Sequence, residues 1–186
     1  LQQIQALVVM IPLTISNGSD ETVLVGIRLF SSNPALNLPD QRPVEIAATQ
    51  FSGILPSLQA GTLDFVAAPV TVTKERAENY IFTEGYLNTD YQFLTKKGEP
   101  AITDLKQLKG KVVSVNKGSA YDSWAKGMEA EIGWKAESFG TQTDAVQAVM
   151  AGRAYANVAG NTVIQWAAKQ QPQLQLSYLH STGLVW

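Results

Sequence analysis

Leu58-Gln-Ala-Gly-Thr-Leu-Asp-Phe-Val-Ala-Ala-Pro-Val-Thr71 lies without a gap over Val149-Met-Ala-Gly-Arg-Ala-Tyr-Ala-Asn-Val-Ala-Gly-Asn-Thr162. Ala-Gly recurs at 60–61 and 151–152, Ala at 68 and 159, and Thr at 71 and 162. In each copy a helix ends at glycine, which tolerates the left-handed backbone of a helix stop. A strand follows, and a loop leaves the strand's carboxyl end. This pattern reads as two like-built α/β halves. Ligands in open α/β sheets collect outside the carboxyl ends of the strands. The loops Pro69–Arg76 and Gly160–Thr162 are therefore expected to face one another across a cleft.

Outward from these copies, short apolar runs alternate with amphipathic stretches from Asp20 onward, as in an α/β architecture with crossover helices. Val23–Ile27 and Val44–Ala48 read as strands, joined by a loop because Pro34, Pro39 and Pro43 interrupt any helix between them. Phe51–Gln59 reads as a helix, Leu63–Ala68 as a strand, and a second helix starts near Thr73, whose hydroxyl can cap it. Tyr91–Leu94 is a strand, and Lys96-Lys97-Gly98-Glu99-Pro100 is the most linker-like stretch. Beyond it, Thr103 can cap a short helix ending at Gly110, Lys111–Val115 is a strand and Ser119–Glu131 a helix. Thr143 caps a helix running to Gly152, and Tyr155–Ala159, Asn161–Gln170 and Leu174–Tyr178 complete a strand, helix, strand series.

At 186 residues, 45% hydrophobic and 16% charged, the chain has the composition of a folded globule rather than a disordered segment or a coiled coil. Fourteen Lys and Arg against 16 Asp and Glu leave a net charge of −2 with no basic run beyond Lys96-Lys97, which argues against a nucleic-acid surface. The absence of cysteine and the single histidine, His180, exclude disulfides, thiolate nucleophiles and Cys/His zinc sites. No stretch reaches the ~20 apolar residues of a membrane span. The nearest, Ala6–Ile15, reads either as a processed signal remnant or as a helix packing Ile4, Leu7, Val8 and Ile11.

Three strand-to-helix junctions can carry chemistry. Thr71-Val-Thr-Lys-Glu-Arg76 offers free helix-start N–H groups, hydroxyls and a guanidinium fork, a carboxylate receptor. It reads equally as a capped surface helix with a solvated Lys-Glu-Arg face. Phe51 offers an aromatic face at the cleft or a core side chain. Asn116-Lys-Gly-Ser-Ala120 offers a second nest of N–H donors or a plain βα loop. There is no G-x-S-x-G or H-E-x-x-H, and no spacing gives His180 a catalytic partner. Trp124, Trp134 and Trp166 read as packing residues.

Phe51-Ser-Gly-Ile-Leu-Pro-Ser-Leu-Gln-Ala-Gly-Thr-Leu-Asp64, Thr71–Arg76, Phe82-Thr-Glu-Gly-Tyr86, Asp104-Leu-Lys-Gln-Leu-Lys-Gly-Lys111 and Val115-Asn-Lys-Gly-Ser119 occur in the order found in one family. The chain resembles an extracytoplasmic solute-binding protein of the polar amino-acid class, the receptor of ABC importers, shortened at both ends. The resemblance runs from about Val23 to Trp186 and is densest over Val44–Ser119. It implies the type II periplasmic-binding-protein fold, a two-lobed α/β clamp in which each lobe is a small, mostly parallel sheet flanked by helices. Residues 1–20 would be an N-terminal helix or signal remnant, 21–90 lobe 1, 91–97 a hinge strand, 98–180 lobe 2, and 181–186 the start of a returning hinge strand. Either the chain is a fragment or Leu1–Ile11 supplies a helix that the short, Pro-containing Leu29–Arg42 connection lacks.

By the same resemblance, Arg76 pairs with a ligand's α-carboxylate, helped by Thr71 and the N–H groups around Ser119, while Phe51 stacks on the ligand. Ala68, Pro69, Lys117, Gly160 and Asn161 complete the implied site. The implied function is a periplasmic or otherwise extracytoplasmic receptor for a small carboxylate-bearing solute, an amino acid before an organic acid, delivered to an ABC permease. No cofactor, metal or nucleic acid is implied. The alternatives are a ligand-sensing receptor domain, a binding-dead fragment, or a dehydratase-like enzyme, for which Glu84 and Asp122 are candidate acids without a spacing signal. Two departures stand out: Gly160-Asn161 replaces an acid that usually holds the α-ammonium, and Pro69, which has no N–H, replaces a glycine. An aspartate at 160 is therefore expected to strengthen amino-acid ligands.

Overall fold

The computed structural model describes Leu7–Val8 and residues 47–186. The chain divides into two compact units, Leu1–Ile11 with Gln50–Trp186, and Pro12–Thr49. Every element below belongs to the first. The expected strand Val23–Ile27, the Pro-rich loop and most of Val44–Ala48 lie outside the described residues.

Two sheets organise this unit. The first has three short strands in the order β2-β1-β3, with β1 (Leu7–Val8) parallel to both β2 (Phe65–Val66) and β3 (Ile81–Phe82). Leu7–Val8 is thus a central strand and not the expected helix. A run with no polar face, Ala6-Leu-Val-Val-Met-Ile11, is what a central parallel strand looks like in sequence. Helices α1 (Phe51–Gln59) and α2 (Lys74–Asn79) precede β2 and β3.

The second sheet has the order β6-β5-β7-β4-β8, from β4 (Tyr91–Lys96), β5 (Val112–Asn116), β6 (Lys135–Phe139), β7 (Ala156–Gly160) and β8 (Leu174–His180). Strands β6, β5 and β7 are mutually parallel, and β4 pairs antiparallel with β7 and β8, so four of the five point one way. The expected hinge strand 91–97 is this one reversed strand, paired on both flanks and buried from Tyr91 to Thr95. Helices α3 (Ala120–Gly127), α4 (Glu129–Ile132), α5 (Gln142–Met150) and α6 (Asn161–Gln170) connect its strands, with a 3-10 turn at Leu105–Leu108.

The internal repeat is structural. After α1, Gly61 N–H donates to Leu58 O at 3.1 Å, and the N–H groups of Thr62 and Leu63 converge on Ser57 O at 3.0 and 3.3 Å. After α5, Gly152 N–H donates to Val149 O at 3.0 Å, while Arg153 and Ala154 converge on Ala148 O at 2.9 and 3.1 Å. The two glycines have φ of 73° and 78°. Both are Schellman stops, satisfying last-turn carbonyls with a residue only glycine fits cheaply. Leu58 and Val149 turn into the core at the same point of each motif.

The caps differ from expectation in two places. Thr141, not Thr143, caps α5: its hydroxyl accepts from Asp144 N–H at 3.1 Å and donates to Asp144 Oδ2 at 2.7 Å. Asp104, not Thr103, caps the 3-10 turn through a capping box with Gln107. The expected helix Ser119–Glu131 breaks at Met128 into α3 and α4. Among the tryptophans, Trp134 is buried and donates to Ala125 O at 2.7 Å, whereas Trp166 is 60% exposed and packs little.

From β3 the chain returns through Tyr86–Asp90 to β4, alongside Thr182–Trp186 beyond β8. Thr89 N–H donates to Leu184 O at 2.9 Å, Tyr86 N–H to Trp186 O at 2.8 Å, and Val72 N–H to Val185 O at 2.9 Å.

Candidate functional site

The carboxyl ends of β2 and of β5 to β7 carry the candidate residues. Thr73 caps α2 as expected, accepting from Arg76 N–H at 3.3 Å. The Arg76 side chain then turns back along the helix start: Nη1 donates to Thr71 O at 3.0 Å and Nη2 to Gly118 O at 3.1 Å. One guanidinium thus joins the loop after β2 to the loop after β5. Burial pulls the pKa of this half-buried group below its ordinary value, opposed by the neighbouring Tyr121 and Tyr91. The ion pairs among the described residues are Lys126–Asp122 and Arg153–Glu137, so Arg76 has no carboxylate partner there. An arginine has five N–H donors, and those not held by the two carbonyls are left to serve an anion. The Tyr91 phenol, raised to about 12 by burial first and by Tyr121 second, stays protonated beside it.

The loop Asn116–Ser119 is built differently from the expected nest. Lys117 N–H donates to Phe139 O at 2.8 Å, Gly118 N–H to Asp122 Oδ2 at 2.9 Å, and Ser119 N–H to Asn116 O at 3.2 Å. The Ser119 hydroxyl donates to Asn116 O at 2.7 Å and accepts from Asp122 N–H at 3.1 Å. The donors expected to face a ligand are therefore occupied within the turn. Lys117 is exposed, and Ser119 is buried. Asp122 organises the loop, its Oδ1 also accepting from Ser138 Oγ at 2.7 Å and from Lys126 Nζ at 2.8 Å. Burial raises its pKa, but the Lys126, Ser138 and Gly118 hydrogen bonds outweigh that and hold it below the usual carboxylate value. As a committed structural carboxylate it is a poor acid or base, and Glu84 is exposed. His180 stacks on Trp124 with ring centroids 5.0 Å apart.

The first turn of α1 closes on the same loops. A Cβ on Gly118 would stand 2.9 Å from Ser52 Cα, and one on Gly140 would stand 3.2 Å from Gln50 Nε2. Phe51, between Gln50 and Ser52, is half-buried against the core. Ala68 is half-buried, and Pro69 is exposed. Asn161 is half-buried, with its N–H on Asp90 O at 2.9 Å and its Oδ1 accepting from Thr162 N–H.

Gly160 is buried at the end of β7, opposite Tyr91. A Cβ there would lie 2.4 Å from Trp186 Cζ2, 2.6 Å from Tyr121 Oη and 2.9 Å from Thr89 Oγ1. An aspartate at 160 cannot enter without displacing that cluster, which overturns the expectation that it would strengthen a ligand. Thr89, Tyr121 and Trp186 escaped the sequence reading, because nothing in their spacing marks a site. Asn157 had a visible signal, a polar residue inside the apolar run of β7. Its Nδ2 donates to Ser114 O at 2.8 Å and its Oδ1 accepts from Gln142 Nε2 at 2.7 Å.

Two surface hollows lie elsewhere, one of about 280 Å³ by Lys106, Lys109 and Gly133 and one of about 200 Å³ by Ile102, Gln107 and Tyr155. Neither touches a candidate residue.

Comparison with known proteins supplies the family. The arginine-binding extracellular protein ArtP of Bacillus subtilis is 29% identical over 132 residues, 71% of this chain and 51% of that protein. The L-arginine-binding protein of Pseudomonas aeruginosa is 30% identical over 116 residues, 62% of this chain and 45% of its own length. Among solved structures, an ancestral arginine-binding protein bound to arginine superposes with a TM-score of 0.67 at 30% identity, covering 76% of this chain and 65% of that one. A solute receptor for L-cysteine of Neisseria gonorrhoeae gives a TM-score of 0.63 at 26% identity, covering 74% and 57%. The chain spans about half the length of the curated relatives it matches. The family model of bacterial extracellular solute-binding proteins, family 3, matches residues 38–177, and the chain belongs to that family.

Proposed function

We propose that this chain is the ligand-binding part of an extracytoplasmic receptor for a small carboxylate-bearing solute, an amino acid in the first instance, handed to the permease of an ABC importer. One observation carries the reading: a half-buried guanidinium between the two sheets, fixed by two backbone carbonyls and lacking a carboxylate among the described residues. A carboxylate placed there gains charge-assisted hydrogen bonds without the entropy of ordering Arg76. The relatives named for arginine and the receptor for L-cysteine support an amino acid, and their extracellular family supports the location. Arg76 and Thr71 form the carboxylate end, with Phe51 along the ligand's body.

Isothermal calorimetry of the chain against L-arginine, L-glutamine, L-cysteine and their deaminated acids tests this. Saturable binding of at least one, lost in Arg76→Ala, is expected. A silent panel, or binding indifferent to Arg76, overturns it.

A further inference from the structure

Trp186 is 4% exposed and stands between the two halves of the candidate site. Its indole N–H, a donor only, is shared between Thr71 Oγ1 and Tyr121 Oη, each at 3.2 Å. Tyr121 Oη lies 3.0 Å from Thr89 Oγ1. The ring rests over Gly160, where a Cβ would come within 2.4 Å of it. The indole therefore ties the loop after β2, through Thr71, to α3 and the end of β7, through Tyr121 and Gly160.

Direction follows from the donor inventory. Trp186 cannot accept, so Thr71 Oγ1 must accept from it, and the proton of Thr71 points elsewhere. Thr71 is 2% exposed and donates no hydrogen bond among the described residues. Its own carbonyl holds Arg76 Nη1. A buried hydroxyl with an unassigned proton thus sits on the residue whose carbonyl holds Arg76, an arginine without a carboxylate among the described residues.

We propose that Trp186 is a positioning residue for the carboxylate site. Its N–H holds the acceptor side of the Thr71 hydroxyl, so that the hydroxyl proton is directed to the same ligand carboxylate that Arg76 grips. Trp186 touches no ligand in this role; it acts through Thr71. The inference rests on the carboxylate-receptor reading above and adds to it the residue that sets the hydrogen-bond polarity of the site.

The test uses the whole chain with L-arginine and L-argininamide as probes. Trp186→Phe keeps a ring and removes the N–H. It should weaken L-arginine about tenfold, the worth of one hydrogen bond near a charge, and weaken L-argininamide less, narrowing the ratio of the two. In a Thr71→Val background the same substitution should cost no further affinity, while Thr71→Ser should retain wild-type dependence on Trp186. Equal losses for both probes, or an undiminished loss in Thr71→Val, would mean that the indole only packs, and the proposal fails. A second measurement is independent of any ligand: the Trp186 Nε1–H proton resonance should move on Thr71→Val in the ligand-free protein. An unmoved resonance overturns the proposal even if L-arginine binds. A moved resonance in a chain that binds no carboxylate supports the indole–hydroxyl bond and sinks the receptor reading instead.

Discussion

Arg76 Nη2 donates to the carbonyl oxygen of Gly118 at 3.1 Å, across 42 positions of sequence. The same Gly118 gives its N–H to Asp122, so the loop that receives the arginine is itself held by a carboxylate at 2.9 Å. The arginine and the structural anion of α3 thus hold the two successive peptide units that flank Gly118. They do not neutralise one another directly.

Arg76→Ala should weaken a carboxylate ligand at least tenfold by calorimetry, and Arg76→Lys should restore only part of that. An ammonium on a flexible stem cannot reach two carbonyls and fork a carboxylate at once. Full recovery in the lysine variant would show that charge alone matters.

Gly118 and Gly61 have nearly the same φ, 78° and 73°. Alanine at Gly61 meets nothing within 4 Å and should cost only the left-handed backbone, about 1 kcal/mol, without changing affinity. Alanine at Gly118 meets Ser52 Cα at 2.9 Å, a contact between the halves, and should cost more stability and reduce ligand affinity as well. Thermal melts and titrations of the two variants side by side decide this; equal behaviour would remove Gly118 from the closure contact.

The carboxyl of Asp122 is held below its ordinary value of 3.8. A depressed folded-state pKa stabilises the fold fully above the unfolded value, and that contribution is lost as pH falls through the folded one. Acid unfolding below about pH 4 should therefore be shallower in Asp122→Asn, a variant already less stable at neutral pH. Parallel acid-melting curves with undiminished slope would refute the assignment.

Asn157 is fully buried between two partners whose polarity is fixed in sequence: Ser114 O can only accept, so Asn157 Oδ1 must face Gln142 Nε2. Asn157→Leu leaves Ser114 O and Gln142 Nε2 without these bonds and should destabilise by about 2–4 kcal/mol. Urea denaturation measures it. A neutral substitution would mean that water replaces the relay.

How much of this was legible follows residue by residue. Helix α1, α6 and the Thr73 cap were readable because Phe51–Gln59, Asn161–Gln170 and Thr73 carry local signals of stop, start and cap. The repeat was readable because a Schellman stop demands glycine at 61 and 152, whatever surrounds it. Strand β1 was not, because a six-residue apolar run fits a helix and a buried strand alike. Nor were β3 and β6, where two residues of β3 and the mixed Lys135-Ala-Glu-Ser-Phe139 have no clear alternation. Of the site, Arg76 and Thr71 stood out by their junction chemistry. Trp186, Thr89 and Tyr121 did not, since their meeting depends on two chain crossings that no local spacing encodes. The Lys117–Ser119 donors were misjudged because Asp122, one turn later, claims the loop.

Strand β4 is zipped into neighbours on both flanks from Tyr91 to Thr95, which ties it to its own sheet. On the receptor reading proposed above, bending between the two sheets falls to the paired crossings Tyr86–Asp90 and Thr182–Trp186. Spin labels on Gln59 and Lys117, both at the surface, should then change separation when a solute arrives, whereas labels on Lys97 and Lys135 should keep theirs. A paramagnetic ruler spanning those crossings would read occupancy directly, with no need to know the solute in advance.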